Sequence, residues 1–91
     1  MNSYIKGTVK DIFYKTDSGY MVGIFKLKET DSEELKNSKT IPFNGNFHEL
    51  IVNYDYKFYG EAYNHPKYGL QYKVSYYEKQ VPEEKNSIIS F

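Results

Sequence analysis

The sequence of 91 residues contains no cysteine and no arginine. Without cysteine there is neither a disulfide framework nor a thiolate zinc site. Without arginine no arginine finger can act within the chain, and the phosphate-binding motif GxxxxGK(S/T) of ATPases is missing too. No apolar run is long enough to cross a bilayer, and the first residues lack the basic and apolar regions of a secretory signal. These absences predict a cytoplasmic protein that does not contact a membrane.

Catalytic motifs are missing as well. There is no HExxH motif, and the two histidines, His48 and His65, lie in unrelated segments. For each of them an exposed or locally hydrogen-bonded state is a simpler interpretation than a metal site shared with scattered carboxylates. The paired acids at 33–34 and 83–84 lie in polar stretches typical of solvated surface rather than of acid–base catalysis. The sequence predicts a domain with no enzymatic activity and with neither a cofactor nor a metal.

Aromatic residues are abundant, with 11 tyrosines and 6 phenylalanines. Such residues favour the pleated, half-buried surface of a strand. A single domain of this size buries only roughly 60–65% of the surface that its unfolded chain exposes, so large core side chains are needed. The net charge is zero, but residues 1–28 carry +3, residues 29–55 carry −4 and residues 56–79 carry +2. The mildly basic strand-like parts permit an anionic ligand without requiring one.

Alternation of apolar and polar positions predicts five strands, at residues 3–16, 20–28, 39–46, 54–63 and 70–79. Within the first strand the pattern slips near residues 11–13, where a bulge would change which side chains face inward. Gly23 interrupts the second strand and is interpreted as another bulge with a change of parity. A bulged, strongly coiled pair of strands is what closure of a small barrel requires. We therefore predict an all-β fold, a five-stranded OB-type Greek-key barrel.

The connections between the predicted strands differ in character. Residues 29–38 are polar and charged, which predicts a loop or one helical turn. Residues 47–53 break the alternation and suit a short helical connection between strands 3 and 4, with a loop as the alternative. Gly19 and Gly69 lie in turns where a positive φ is expected. Pro42 has no N–H for a ladder, so the third strand should have an exposed edge there.

Two parts of the chain are predicted. Residues 1–80 form the barrel, whereas residues 81–91 have a different pattern. A proline followed by two glutamates at 82–84 is typical of a helix start, and one amphipathic turn is not stable by itself. We expect residues 81–91 to be the truncated start of a following helical module.

Tyrosine and lysine alternate on the predicted outer faces and loops. On a barrel face such residues hold single-stranded DNA, because bases stack on rings for about 1–3 kcal/mol each and ammonium groups contact phosphates. The predicted nucleic-acid-binding residues are Tyr14, Lys15, Lys26, Lys28, Tyr63, Lys67 and Tyr68. The alternative is a protein-docking or structural module, because tyrosine also covers barrels and domain interfaces. A basic stripe beside exposed rings would favour DNA, and scattered lysines would favour docking.

Five motifs occur in order along the chain: YIKGTV at 4–9, GYMV at 19–22, FNGNF at 43–47, FYGE at 58–61 and HPKYGLQY at 65–72. Together they resemble the N-terminal OB-fold domain of RecD-like ATP-dependent DNA helicases, relatives of the exodeoxyribonuclease V alpha subunit. The resemblance extends over residues 3–80, and the HPKYGLQY hairpin is its most specific part.

The resemblance implies an accessory domain of a helicase that acts in DNA repair and recombination. In such helicases this domain is followed by helix-hairpin-helix elements and then by the ATPase motor, which would account for residues 81–91. The motor's Walker motifs are absent, so helicase activity is not carried over to this chain. The partners that the resemblance implies are single-stranded DNA and the remaining domains of the helicase. Binding of an oligosaccharide rests on the fold alone.

Overall fold

A closed barrel of five strands makes up the computed structural model, which describes residues 3–80. The strands are β1 (Ser3–Lys15), β2 (Tyr20–Thr30), β3 (Thr40–Asn46), β4 (Asp55–His65) and β5 (Gly69–Lys79). Their order around the barrel is β1-β2-β3-β5-β4, and the β3–β5 pair is parallel while the other pairs are antiparallel. The predicted all-β, OB-type barrel is confirmed. The prediction for residues 81–91 lies outside the described residues.

Aromatic rings fill the barrel interior. Phe25 stacks on Phe58 with ring centroids 4.6 Å apart, and Phe43 meets these two rings edge-on at 6.3 and 5.1 Å. All three side chains are fully buried. Burial of one such ring contributes about 1.5–3 kcal/mol, and favourable ring pairs add about 0.5–1.5 kcal/mol each. This aromatic core supports the strands from the inside of the barrel.

Two buried tyrosines keep their hydroxyl groups hydrogen-bonded. The Tyr56 hydroxyl accepts from the N–H of Ile51 at 3.0 Å, and the Tyr72 hydroxyl donates to the C=O of Ser3 at 2.8 Å. Burial raises the pKa of both hydroxyls above the ordinary tyrosine value, because a phenolate would lose its hydration there. Each bond ties a neighbouring segment of backbone to the barrel.

The predicted bulge near residues 11–13 is confirmed. The β1–β2 register shifts at Val9/Asp11 and at Ile12/Tyr14, and in both places the extra residue is on β1. Gly23 on β2 is not bulged, so that prediction is wrong. A Cβ at Gly23 would lie 2.3 Å from the carbonyl oxygen of Asp11, and the glycine therefore permits the two strands to approach closely.

The predictions for the two turn glycines and for Pro42 agree with the structure. Gly19 and Gly69 have φ values of +102° and +84°, as expected for turn glycines. Pro42 pairs with Ile24 on β2, but the pairing of β3 with β5 begins only at Phe43. The side of β3 toward β5 is thus open at the proline, as its missing N–H predicts.

The connection between β3 and β4 contains no helix, so the predicted helical connection is wrong. Within residues 3–80 the helical structure is a single 3-10 turn, Glu33–Leu35, between β2 and β3. The connection is a loop because its backbone bonds distant partners. The N–H of Asn53 donates to the C=O of Val9 at 2.7 Å, and the N–H of Phe47 donates to the C=O of Gly19 at 2.9 Å. The Asn53 donor is thus not available for the local bond that a helix over these residues would need, and the Phe47 bond fixes the start of the connection beside the β1–β2 turn. Within residues 3–80 no helix is long and apolar enough to cross a membrane.

Candidate nucleic-acid interface

The outer surface of β2 and β3 lies between the turns that join β1 to β2 and β4 to β5. Met21, Gly23 and Phe25 face the interior, so the alternate residues of β2 point outward. The predicted change of parity at Gly23 is therefore wrong. Residues opposite one another on paired strands share a face. We define the β2–β3 face by three cross-strand rows, Tyr14–Val22–Asn44, Asp11–Ile24–Pro42 and Thr8–Lys26–Thr40.

The β2–β3 face has an apolar centre between an aromatic ring and an ammonium group. Val22, Ile24 and Pro42 are half-buried. Tyr14 is 56% exposed, and Lys26 is exposed at the other end of the face. Neither side chain has a hydrogen bond, ion pair or ring contact within residues 3–80. Strands rise about 3.3 Å per residue, so the row of Tyr14 and that of Lys26 are about 13 Å apart.

Tyr63 reaches the β2–β3 face from β4, across β5. Its hydroxyl accepts from Asn44 Nδ2 at 2.9 Å and donates to Gln71 Oε1 at 3.0 Å. Asn44 Nδ2 also donates to Gln71 Oε1 at 3.4 Å. Asn44 is only 8% exposed although it points outward, while Tyr63 is half-buried. The two amides hold the tyrosine in place at the edge of the face.

Lys67 and Tyr68 lie at the tip of the β4–β5 hairpin. His65 organises this turn, because its Nδ1 accepts hydrogen bonds from the N–H groups of Lys67 and Tyr68 at 3.0 and 3.2 Å. The Tyr68 ring packs on His65 at 4.8 Å, and Lys67 Nζ lies 5.4 Å from the centre of the same ring. Tyr68 is nevertheless 64% exposed. The turn therefore presents a ring and an ammonium group side by side to solvent.

The other predicted lysines lie off the β2–β3 face. Lys15 is exposed near the end of β1, opposite the inward-facing Met21. Lys28 is the extra residue of a bulge on β2, and its Nζ lies 3.5 Å from Asp55 Oδ1 at the start of β4. The structure thus places three of the predicted residues on or beside the face, Tyr14, Lys26 and Tyr63.

The lysines without a partner surround the β2–β3 face. Within residues 3–80, the lysines whose side chains have no ion pair, hydrogen bond or ring contact are Lys10, Lys15, Lys26, Lys39 and Lys73. Each belongs to the face or is next to one of its residues, in sequence or in register. The remaining lysines of this part of the chain contact carboxylates or tyrosine rings. Of the ammonium groups available to an external anion, that of Lys26 therefore lies on the face, and the others belong to residues that border it.

The sequence interpretation missed the apolar centre of the face and the role of Asn44. Val22, Ile24 and Lys26 alternate with the inward-facing residues of β2 and so share its outer face. Interpreting Gly23 as a bulge obscures this alternation, because it assigns Val22 and Lys26 to different faces. Asn44 had no such signal, because its partners lie 19 and 27 residues away on β4 and β5.

The histidines occupy separate places in the structure. The Nδ1 atom of His65 accepts hydrogen bonds inside the hairpin. His48 is exposed in the loop after β3, and its backbone N–H donates to the Tyr77 hydroxyl at 2.9 Å. Among the described residues, no group of three or more His, Cys, Asp or Glu side chains is arranged to hold a metal ion.

A protein-family model matches nearly the whole chain. It is described as the OB-fold domain of the ATP-dependent DNA helicase YrrC, and it covers residues 2–82. That range includes all five strands and both turns that border the β2–β3 face. No solved structure matches the chain.

Proposed function

The chain belongs to the OB-fold domain family of the ATP-dependent DNA helicase YrrC, and from this premise we propose that it binds single-stranded DNA on the β2–β3 face. The family match confirms the resemblance seen in the motifs and gives the chain an accessory role in a helicase. Five-stranded OB barrels bind oligonucleotides on the face of strands 2 and 3, between the loops that join strands 1 to 2 and 4 to 5. The proposal assigns the same surface here.

The lysines without partners on and beside the β2–β3 face carry the proposal. In the proposed complex, bases stack on the rings of Tyr14 and Tyr63 and cover the apolar centre of the face, while Lys26 and the other lysines without partners contact phosphates. Lys67 and Tyr68 close one border of the site from the hairpin. Asp11 lies in the central row of the face, so we expect the phosphates at the lysine-bearing margins rather than over the centre. Stacking contributes about 1–3 kcal/mol per base and does not depend on sequence.

The net charge of zero limits the affinity. Binding of single strands weakens with salt, with a logarithmic slope of about −0.7 for each phosphate neutralised. If three lysines contact phosphates, affinity falls about 20-fold when the salt concentration rises fourfold. We therefore expect weak binding that is detectable at low salt and has no sequence preference.

The test is a titration of the full chain into fluorescein-labelled oligothymidine, followed by anisotropy at low and moderate salt. Tyr14→Ala should weaken binding about 5- to 150-fold, the equivalent of one lost stack. Lys26→Ala should weaken it and reduce its salt dependence. The matched control is Tyr76→Ala, since Tyr76 is 58% exposed, close to the 56% of Tyr14, but lies on β5 away from the face.

Two results would contradict the proposal. One is the absence of binding at low salt and high protein concentration. The other is an equal loss of affinity in Tyr14→Ala and Tyr76→Ala, which would show that the β2–β3 face has no special part in the interaction.

A further inference from the structure

A row of tyrosines crosses the barrel on the side away from the β2–β3 face. Tyr4 on β1 is opposite Tyr59 on β4, and Tyr59 is opposite Tyr76 on β5. The buried neighbours Ile5 and Phe58 face the interior, so the row faces solvent. Its middle strand, β4, pairs with neither β2 nor β3. The tyrosine row therefore lies across β1, β4 and β5, while the β2–β3 face is centred on β2 and β3.

The tyrosine row already holds one cation of its own. Lys57 Nζ lies 4.5 Å from the ring centre of Tyr4 and 4.9 Å from that of Tyr59. Tyr76 is the third ring, packed at a tilt against Tyr59 at 5.5 Å, and it is 58% exposed. No cation within residues 3–80 lies over Tyr76. Tyrosine faces attract ammonium and guanidinium groups, so Tyr76 offers an open position beside an occupied one.

Carboxylates are bonded to two of the three tyrosines of the row. The Tyr4 hydroxyl donates to Glu29 Oε2 at 2.7 Å, and its backbone N–H donates to Asp31 Oδ1 at 3.0 Å. The Tyr59 hydroxyl donates to Glu78 Oε1 at 3.3 Å. Negative charge at the edges of the rings favours a cation and repels a phosphate backbone.

An acidic hollow adjoins the tyrosine row. Its carboxylates come from Asp31, Glu33, Glu34 and Glu61, and its wall includes Ser3, next to Tyr4 of the row. Lys36 Nζ lies 3.1 Å from Glu33 Oε2, but the described lining of the hollow includes no lysine and leaves it with an excess of negative charge. Asp31 belongs both to the hollow and, through its bond to Tyr4, to the edge of the row. The rings and the hollow are therefore one continuous surface whose charge is complementary to a basic partner.

We propose that the tyrosine row and the acidic hollow form a docking surface for a basic protein segment, with an arginine stacked on Tyr76. Arginine fits better than lysine, because a guanidinium stacks on a ring and also bonds a carboxylate through two N–H groups. Glu78, which follows Tyr76 on the same face of β5, supplies that carboxylate. The domain would then hold protein on one side and DNA on the other.

The proposal is tested by NMR on the full, isotope-labelled chain, titrated with a peptide of alternating arginine and serine. Matched peptides carry lysine or glutamate in place of arginine. We expect shifts of backbone amides along the tyrosine row and the hollow, tighter binding of the arginine peptide than of the lysine peptide, and no binding of the glutamate peptide. Tyr76→Ala should weaken arginine-peptide binding about 2- to 5-fold, as expected for an exposed cation–π contact. Tyr76→Phe, which keeps the ring, should retain it.

Tyr68→Ala is the matched control, because Tyr68 is 64% exposed and lies in the hairpin. It should leave peptide binding unchanged. Shifts confined to the β2–β3 face would overturn the proposal, as would equal affinity of the Tyr76→Ala variant and the unaltered chain. The assay contains no DNA, so its failure is distinct from failure of the DNA titration.

Discussion

The β2–β3 face and the tyrosine row both contain tyrosine with lysine on it or beside it, and they differ in how these side chains are paired. In the row, Lys57 lies over two rings, and two tyrosine hydroxyls donate to carboxylates. On the β2–β3 face, Tyr14 and Lys26 have no such partners within residues 3–80. A lysine already held by rings is less available to a phosphate, and a ring bordered by carboxylates is unfavourable for a nucleic acid. Pairing, more than composition, separates a surface suited to DNA from one suited to a basic protein segment.

The same difference assigns the two surfaces different roles in stability. Contacts within the tyrosine row form between β1, β4 and β5, so they stabilise the barrel as well as offering a surface. The isolated side chains of the β2–β3 face contribute little to stability and are available for a ligand. Substitutions in the row should therefore change the free energy of unfolding, while those on the face should change binding.

The largest effect is expected from the core that both surfaces share. Phe58 contacts Phe25, Phe43 and Phe47 with centroids 4.6, 5.1 and 5.5 Å away. Phe58→Ala should lower the free energy of unfolding by about 3–5 kcal/mol, a large fraction of the total for a small domain. Urea unfolding followed by circular dichroism measures the loss. A variant that stayed as stable as the unaltered chain would show that the core does not support the two surfaces.

The second-largest effect is expected at alkaline pH, where deprotonation of the two buried tyrosines lowers the free energy of unfolding. Burial raises the pKa of Tyr56 and Tyr72 in the folded chain, so the unfolded chain loses these protons first. Their contribution to stability is complete below about pH 10, the ordinary tyrosine pKa, and is lost as pH rises through the higher folded values. Urea unfolding across this range should show falling stability, and the slope should be shallower in Tyr72→Phe. Constant stability above this pH would contradict the expectation.

The parts of this fold that local patterns control were predictable, and the parts that distant contacts control were not. Alternation gave the five strands, and turn chemistry gave the positive φ of Gly19 and Gly69. The loop between β3 and β4 took its conformation from Val9 and Gly19, far away in the sequence. In the same way, the sequence predicts Lys28 as a phosphate ligand but gives no sign that the β2 bulge places its Nζ 3.5 Å from Asp55 Oδ1. The sequence shows that an ammonium group is present but not what it contacts.

Tyr63→Phe tests whether a fixed ring binds DNA better than a mobile one. The change keeps the ring and removes the hydrogen bonds to Asn44 and Gln71. Ordering such a side chain on binding costs about 0.5–1.5 kcal/mol, so oligothymidine affinity should fall about 2- to 12-fold. Tyr63→Ala should weaken binding further, because it also removes the stack. Equal affinities of Tyr63→Phe and the unaltered chain would show that the two amides have no positioning role.

The smallest effects come from a matched pair of lysines, and they separate the two surfaces most directly. Lys57→Ala removes the cation shared by Tyr4 and Tyr59, so it should lower the free energy of unfolding by about 0.5–1 kcal/mol and leave oligothymidine binding unchanged. Lys26→Ala removes an exposed ammonium without a partner, so stability should stay within about 0.5 kcal/mol, while the salt slope of DNA binding should fall by about 0.7. Urea unfolding and salt-dependent anisotropy on both variants measure the four values. If the two substitutions exchanged their effects, the lysine of the tyrosine row would be the phosphate ligand, and the assignment of DNA and protein to the two sides of the barrel would have to be reversed.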